Sequence, residues 1–573
     1  MTSRWKEEGA FLLFILPWIV GFLVFFVGPA ALSMIYSFAD YNSVTPPQWI
    51  GFDNYRDLFK DQIYLKSFGN TLYFVFIAVP ITVMFQILIS VVLNVEIKGI
   101  RFFRTIYYLP YLVPPVATVI IWLLLFGTDG GFVNQLLEAV GIPKVDWFGS
   151  EGWSKPLIVT IGIWSSGGPV LIFLAALKGV PAQLYEAARI DGASRVRQFF
   201  TITLPMISPT ILFSLVLQMI YYFQMFTESR LLNNGGPDYS SSTYMLNTYN
   251  TAFRDMKFGY AMAQSWILFV IILILTWIVM KTSNRWVYYE SDKGGRRIGM
   301  TYRFKTPLQY VALLVGLFIF AGPLFWLLST MLKTQEQTFR YPPEFLPHPL
   351  TLSAFGRLFE SMPLMGRWMG NSFAIAGSVG LGTILFSSLI AFGFARTKAR
   401  SRKFLFAIVL ATLMIPAQVT LIPLYLLYRN IGWYDTWLPL IVPHVLGNPY
   451  FIFLFRQFFL TIPRELDEAT YVDGGGYWTI YSRVILPLSS PILVSGFIFS
   501  FVFSWTDFFS PLIFIQSEKL QTLSVGLQMI MGQTSHDFPV LAAGSFLALL
   551  PIGVIYFFAQ RYFIEGVVMT GIK

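Results

Sequence analysis

The chain has 573 residues, of which 55% are hydrophobic and only 12% charged, with a formal net charge of +10. That charged fraction is about half the ~25% of an ordinary globular chain, which excludes a soluble domain. With no cysteine, a disulfide framework and a thiolate metal site are excluded as well.

Twelve apolar runs follow in chain order, near 11–38, 71–95, 105–127, 157–177, 207–227, 259–280, 308–331, 371–395, 404–428, 437–455, 489–515 and 540–560. A helix needs ~20 apolar residues to cross the hydrocarbon core. Strands of this length would alternate polar and apolar residues, so the runs predict helices. The first run is longer than the ~7–15 apolar residues of a signal peptide and is expected to remain as a span. Of Asp, Glu, Lys and Arg, these runs contain a single residue, Asp507 in 489–515. His348, His444 and His536 lie far apart and are expected as loop or interface residues, not metal ligands. The fold class expected is an all-α membrane protein with twelve transmembrane helices.

Placing both termini in the cytoplasm puts most of the 40 Lys and Arg on inner segments, with "RTKARSRK" (Arg396–Lys403) the densest short loop. Basic residues favour that side of a membrane. The net charge therefore reads as a topology signal and not as a nucleic-acid surface, because it is divided among membrane-tethered loops.

Two inner stretches resemble each other, "LYEAARIDGASRVRQFFTITLP" (184–205) and "LDEATYVDGGGYWTIYSRVILP" (466–487). Glu186 and Glu468 lie 468 − 186 = 282 apart, as do Asp191/Asp473, Gly192/Gly474, Leu204/Leu486, Pro205/Pro487 and Pro181/Pro463. Gly28-Pro29 recurs as Gly322-Pro323, and Asn70 as Asn371, at shifted registers. The chain divides into two homologous six-helix units, 1–285 and 307–573, with 286–306 as a cytoplasmic linker or a junction between two subunits. Within each stretch, Pro at a first-turn position opens a helix over 182–190, and Asp191-Gly192 stops it with a left-handed residue. A second short helix is expected to about Thr203, with Pro205 opening the next span. The product is a bent elbow with a small-residue face at Ala187 and Ala188.

The pattern E-A-A, three residues, G, nine residues, I-x-L-P resembles the coupling motif of ATP-binding-cassette importer permeases. Glu186, Ala187, Ala188, Gly192, Ile202, Leu204 and Pro205 match it; the second copy keeps Glu468, Ala469, Gly474, Leu486 and Pro487 but departs at Thr470 and Val484. "DYN" (40–42), "NNGGP" (233–237) and "FFAQRYFIEGVVMTGIK" (557–573) are similar to the carbohydrate-uptake, maltose-type branch. The resemblance implies two fused or concatenated permease subunits in a bacterial or archaeal cytoplasmic membrane. It implies as partners a cytoplasmic ATPase dimer docked on the two coupling-helix elbows, an extracellular or periplasmic solute-binding protein, and a carbohydrate. No Lys follows a Gly, so the chain has no phosphate loop of its own. It is expected not to be an enzyme and to bind no cofactor, with ATP and Mg on the partner.

Two alternatives stay open. Similar permeases carry glycerol phosphate and related polyol esters, whereas an ion-coupled secondary transporter would keep ionisable groups inside its spans. Gln218, Tyr222 and Met225 share one helical face, and adding 282 gives Ser500, Ser504 and Asp507. With Trp505 and Trp164 they are expected to line the substrate pathway, where aromatic faces stack on sugars; interhelical hydrogen bonding is the other use of such residues. Denaturing electrophoresis of the expressed gene product is expected to show one band near 65.3 kDa. Two bands of about half that mass would make 286–306 a subunit junction.

Overall fold

A computed structural model describes residues 2–95, 97, 99–288, 307–413, 416–533 and 537–570. His536 and most of the 286–306 junction lie outside the described residues. Seven helices are long and apolar enough to cross a membrane: Lys6–Tyr36, Gln62–Leu93, Phe258–Ser283, Tyr310–Thr330, Met365–Arg396, Leu438–Thr461 and Phe538–Ala559. Four bent helix pairs bring the possible spans to 11 among the described residues. Eleven of the twelve expected runs thus meet a helix or a bent pair. The remaining run, 404–428, forms Arg402–Thr412 and Gln418–Asn430, on either side of residues 414–415, which are not described.

The run 105–127 is not one straight helix. It is split into Ile100–Leu112 and Pro115–Phe126, bent by 102°. Val113 and Pro114 are extended because each precedes a proline, whose ring disfavours the helical region for its predecessor. The fourth span of each half also breaks. Glu151–Trp164 and Gly167–Gly179 meet at 50°, and Leu438–Val445 is interrupted before Pro449–Thr461. Ser166 and Asn448, which precede the second piece in each half, are 448 − 166 = 282 apart, so the break belongs to the repeat. Outside the helices, Ala39–Asp40 and Gln48–Trp49 form a short antiparallel ladder.

The halves exchange their first spans. Phe11, Ile15 and Trp18 are buried among Ile390, Phe394 and Ile452 of the second half, and the Phe14 ring meets Phe392 edge-on at 5.0 Å. Gly393 permits this approach, since a Cβ there would lie 2.9 Å from Phe14 Cβ. In return, Pro307–Thr330 packs on the first half. The Phe320 ring stacks on Tyr107 at 4.8 Å, and the Tyr107 hydroxyl donates to the Leu313 carbonyl at 3.3 Å. Gly316 faces Tyr107, and any Cβ there would overlap the phenol. Lipid is as apolar as the helices, so association rests on close packing at small residues and on hydrogen bonds.

Because the first spans pack across the halves, a chain cut at a protease site inserted in 290–300 is expected to co-purify as a pair of fragments. Gly393→Leu forces a side chain into the space of Phe14, an overpacking that costs about 1–3 kcal/mol. It is expected to lower the temperature at which the cut fragments separate, measured by size-exclusion chromatography after heating. Unchanged separation would contradict the exchanged interface.

Candidate functional site: two elbows and a polar cavity

Both elbows fold as short helices with matching caps. Pro181 is extended and Ala182–Ile190 follows. Gly192 has φ +73, its N–H donates to the Arg189 carbonyl at 3.1 Å, and the Ala193 N–H reaches Ala188 at 2.9 Å. These two bonds form a Schellman cap, which needs a left-handed residue at this position. In the second half Glu465–Val472 ends the same way. Gly474 has φ +79, donates to Tyr471 at 3.0 Å, and Gly475 donates to Thr470 at 2.9 Å. Asp191 and Asp473 are the residues before the two glycines, and their N–H groups bond Ala187 and Ala469.

The second leg differs slightly from expectation. It runs through Arg195–Met206 and bends by 67° into Ser208–Phe223; Tyr477–Leu488 bends by 78° into Ser490–Thr506. Pro205 and Pro487 therefore lie in the last turn of each elbow, beside Leu204 and Leu486, and the spans begin at Ser208 and Ser490. Glu186, Ala187, Glu468 and Ala469 are exposed, and Ala188 half-buried. Ile190 is 87% exposed and Val472, at the same offset of 282, 86% exposed. Leu184 and Leu466 are exposed beside them. Both elbows thus expose large apolar side chains at the same place in the repeat.

The two elbows are anchored by different chemistry. In the first, the Tyr185 hydroxyl and Thr203 Oγ1 are 2.7 Å apart and buried. The corresponding residues are Asp467 and Ile485 (185 + 282 and 203 + 282), and Ile485 offers no hydroxyl. Asp467 instead accepts from Arg396 Nη1 at 3.0 Å, while Arg396 Nη2 donates to the Phe459 and Ile462 carbonyls, each at 2.8 Å. Burial pushes the Asp467 carboxyl above its ordinary range even though Arg396 opposes this. The pair therefore positions the elbow more than it stabilises the fold. The first span reaches the same elbow, where Tyr477 donates to Glu7 at 2.6 Å, and the loop before Arg402, where Ser401 Oγ donates to Glu8 at 2.8 Å.

A cavity of about 240 Å³ lies in the second half, with Thr383, His444, Asn448, Ser500, Ser504 and Asp507 as its main polar lining. Three of the expected pathway residues meet there. Ser500 Oγ is 2.8 Å from Thr383 Oγ1, and Asp507 Oδ1 accepts from the N–H groups of Phe509 at 3.1 Å and Ser510 at 3.2 Å. The other five do not line it. Tyr222 is 1% exposed and stacks parallel to Phe74, with its hydroxyl 3.4 Å from Thr82 Oγ1. Met225 is buried, Trp164 donates to the Phe320 carbonyl at 3.3 Å, and Trp505 donates to the Ala548 carbonyl at 3.0 Å. Gln218 is half-buried. The ends of the two faces nevertheless approach across the halves, where the Phe226 ring is 4.7 Å from that of Phe509 and stacks on Phe508 at 6.4 Å.

His444 was not expected here. It sits in the helix Leu438–Val445, inside a candidate span and not in a loop. Its sequence signal is the offset, since 444 − 282 is Gly162, which Tyr222 covers in the first half. Among the described residues, no group of three or more His, Cys, Asp or Glu could hold a metal ion.

The profile described as the binding-protein-dependent transport system inner membrane component matches residues 87–289 and 383–568. The probable ABC transporter permease protein YesP of Bacillus subtilis is 40% identical over 293 residues, covering 50% of this chain and 94% of YesP. The arabinooligosaccharides transport system permease protein AraQ of Halalkalibacterium halodurans is 34% identical over 229 residues, 40% of this chain and 82% of AraQ. The sn-glycerol-3-phosphate transport system permease protein UgpA of Pectobacterium atrosepticum is 31% identical over 281 residues, 48% of this chain and 94% of UgpA. Among solved structures, a bacterial ABC transporter importing the acidic polysaccharide alginate aligns with TM-score 0.44 at 25% identity, over 49% of this chain and 96% of that one.

Arg396→Ala leaves the Asp467 carboxylate buried without its partner, a loss of about 3–5 kcal/mol. Tyr185→Phe in the other elbow removes one neutral hydrogen bond, about 0.5–1.5 kcal/mol. Thermal unfolding of the purified chain is expected to rank the first variant well below the second, and Arg396→Met with Asp467→Leu to recover most of the loss. Equal effects from the two single variants would contradict the different anchoring.

Proposed function

The chain belongs to the family of binding-protein-dependent transport system inner membrane components, and from that premise we propose that it forms a two-unit pore of an ATP-driven sugar importer. The observation that carries this reading is the pair of elbows. Each presents an exposed Glu and an exposed β-branched apolar residue in the helix just before a matching glycine cap, at one offset. A pseudo-symmetric pair of knobs is what a dimer of ATPase subunits requires as its docking surface. As a member of this family the chain is a transport component and not an enzyme. Without a phosphate loop in its sequence, hydrolysis falls to a separate cytoplasmic ATPase dimer, which holds ATP and Mg.

On this reading the spans number twelve, with 404–428 as the ninth, and both termini face the cytoplasm with the elbows. The units are 1–285 and 307–573, and solute arrives from an extracellular or periplasmic binding protein. Closure of the ATPase dimer moves the elbows, and each elbow is continuous through its bend with the fifth span of its half. That gives a mechanical route to the helical ends near Phe226 and Phe508. The similarity to AraQ, named for arabinooligosaccharides, favours a saccharide. The similarity to UgpA keeps sn-glycerol 3-phosphate as the second reading.

Glu186→Lys and Glu468→Lys reverse a charge on exposed surfaces and leave the folded core untouched. Each is expected to weaken co-purification of the ATPase, and the double variant to abolish stimulation of hydrolysis by loaded binding protein, since coupling between sites is reciprocal. Full stimulation in the double variant would refute elbow docking. Uptake that persists without ATP but stops with a protonophore would identify an ion-coupled carrier instead.

A further inference from the structure

Three arginines of the second half gather at the elbow end of the spans without an ion-pair partner of their own. Arg402 opens the helix Arg402–Thr412, Arg456 lies in Pro449–Thr461, and Arg464 directly precedes the helix of the second elbow. The first two are half-buried and the third is exposed. Burial and the charge of Arg464 together hold the Arg402 guanidinium below its ordinary value. The charge of Arg402 in turn reaches Arg456. Backbone carbonyls fix two of the three forks. Arg402 Nη1 donates to Thr397; Arg456 Nε donates to Phe394 at 3.3 Å, with its guanidinium 4.1 Å over the Phe406 ring. Their other N–H groups make no hydrogen bond among the described residues. Asp467 is engaged by Arg396 at 3.0 Å, and none of the three arginines forms an ion pair among the described residues.

A general bias of basic residues toward this side does not account for the cluster. The repeat offset of 282 puts Leu174 and Ala182 at the positions of Arg456 and Arg464, and Leu174 is buried. Its depth also differs from that of a surface loop. Arg456 lies 461 − 456 = 5 residues inside the end of the candidate span Leu438–Thr461, ~7 Å along a helix. Phe404, two residues after Arg402, is 69% exposed, and Leu460, one turn after Arg456 on the same face, is 43% exposed. The cluster therefore borders hydrocarbon as well as water.

We propose that Arg402, Arg456 and Arg464 bind the phosphate of an anionic phospholipid in the leaflet on the elbow side, with its acyl chains over Leu460 and Phe404. Like charges gathered at low dielectric repel one another, and a phosphate between them reverses that cost. The guanidinium fork matches phosphate oxygens in pairs. A zwitterionic lipid would bring its own cation to the cluster, so the site selects a net negative headgroup. A soluble partner meets Arg464 at the surface, whereas the depth of Arg456 is that of the lipid headgroups. Because Arg464 directly precedes the elbow helix, an occupied site ties the base of that elbow to the bilayer.

The test uses the full chain in phosphatidylcholine nanodiscs carrying a trace of photoactivatable lipid, with labelled peptides mapped by mass spectrometry. It requires neither transport nor ATPase, so its outcome is independent of the importer reading. Photoactivatable phosphatidylglycerol is expected to label 402–412 and 449–461 about tenfold more than photoactivatable phosphatidylcholine. Arg402→Gln with Arg456→Gln is expected to remove that excess. Arg464→Gln alters an exposed side chain and is expected to reduce it about fivefold with no change in thermal unfolding. Equal labelling of the wild-type chain by the two lipids would overturn the proposal without any variant. An excess undiminished in Arg464→Gln would overturn it too, even if the double variant fails to fold. Loss of the excess on adding inorganic phosphate would make this a site for a free anion. Loss on adding the ATPase subunit would make it part of a protein interface, and either result would overturn the lipid assignment.

Discussion

Everything in this molecule depends on how helices adhere where water offers no hydrophobic drive. In hydrocarbon, backbone groups must be satisfied within each helix, and helices join only where side chains interlock closely. Here that need is met by exchange. Each half places its first span on the other, with Gly393 admitting Phe14 and Gly316 admitting the Tyr107 ring. The exchange joins the two halves through their own spans. It also ties the first span to the second elbow through Glu7 and Tyr477, and to the adjacent loop through Glu8 and Ser401.

The two halves agree where the backbone sets the answer and diverge where side chains do. The Schellman caps at Gly192 and Gly474 match bond for bond because one left-handed residue fixes the geometry. Interior anchoring allows more than one solution. Tyr185 with Thr203 and Asp467 with Arg396 each hold an elbow, one by a neutral hydroxyl pair and one by a desolvated ion pair. The site above shows the same freedom, with bulk carried by Tyr222 in one half and by His444 in the other. Such divergence leaves the two elbow caps alike while the second half keeps an open cavity lined in part by His444, Ser504 and Asp507.

Much of this was legible in the sequence, and the part that was not has physical causes. The repeat offset, the helix over 182–190 and the positive φ at both glycines follow from local chemistry, and local chemistry is what a sequence displays. The exchange of first spans was not legible, because a span apolar on every side does not reveal which neighbour it meets. The bend in 105–127 was signalled by Val113-Pro114-Pro115 but hidden by the unbroken apolar composition around it. The pathway residues were placed by helical periodicity and the repeat offset, with Trp164 and Trp505 added for their aromatic faces. Periodicity put Ser500, Ser504 and Asp507 on one face but does not distinguish a face that lines a space from one filled by its own aromatic, as Tyr222 is. His444 was overlooked because a lone histidine carries little signal until its partner position, Gly162, is aligned with it.

The central claim is that ATPase closure drives the two elbows as a pair. The chain contains no cysteine, so Ile190→Cys with Val472→Cys supplies two unique labelling sites on the exposed elbow tips. Electron double resonance distances between nitroxides at those positions, in the assembled complex, report their separation directly. The account predicts a shorter, narrower distribution when ATP and loaded binding protein are both present than in the nucleotide-free complex. An identical distribution in the two states would contradict it.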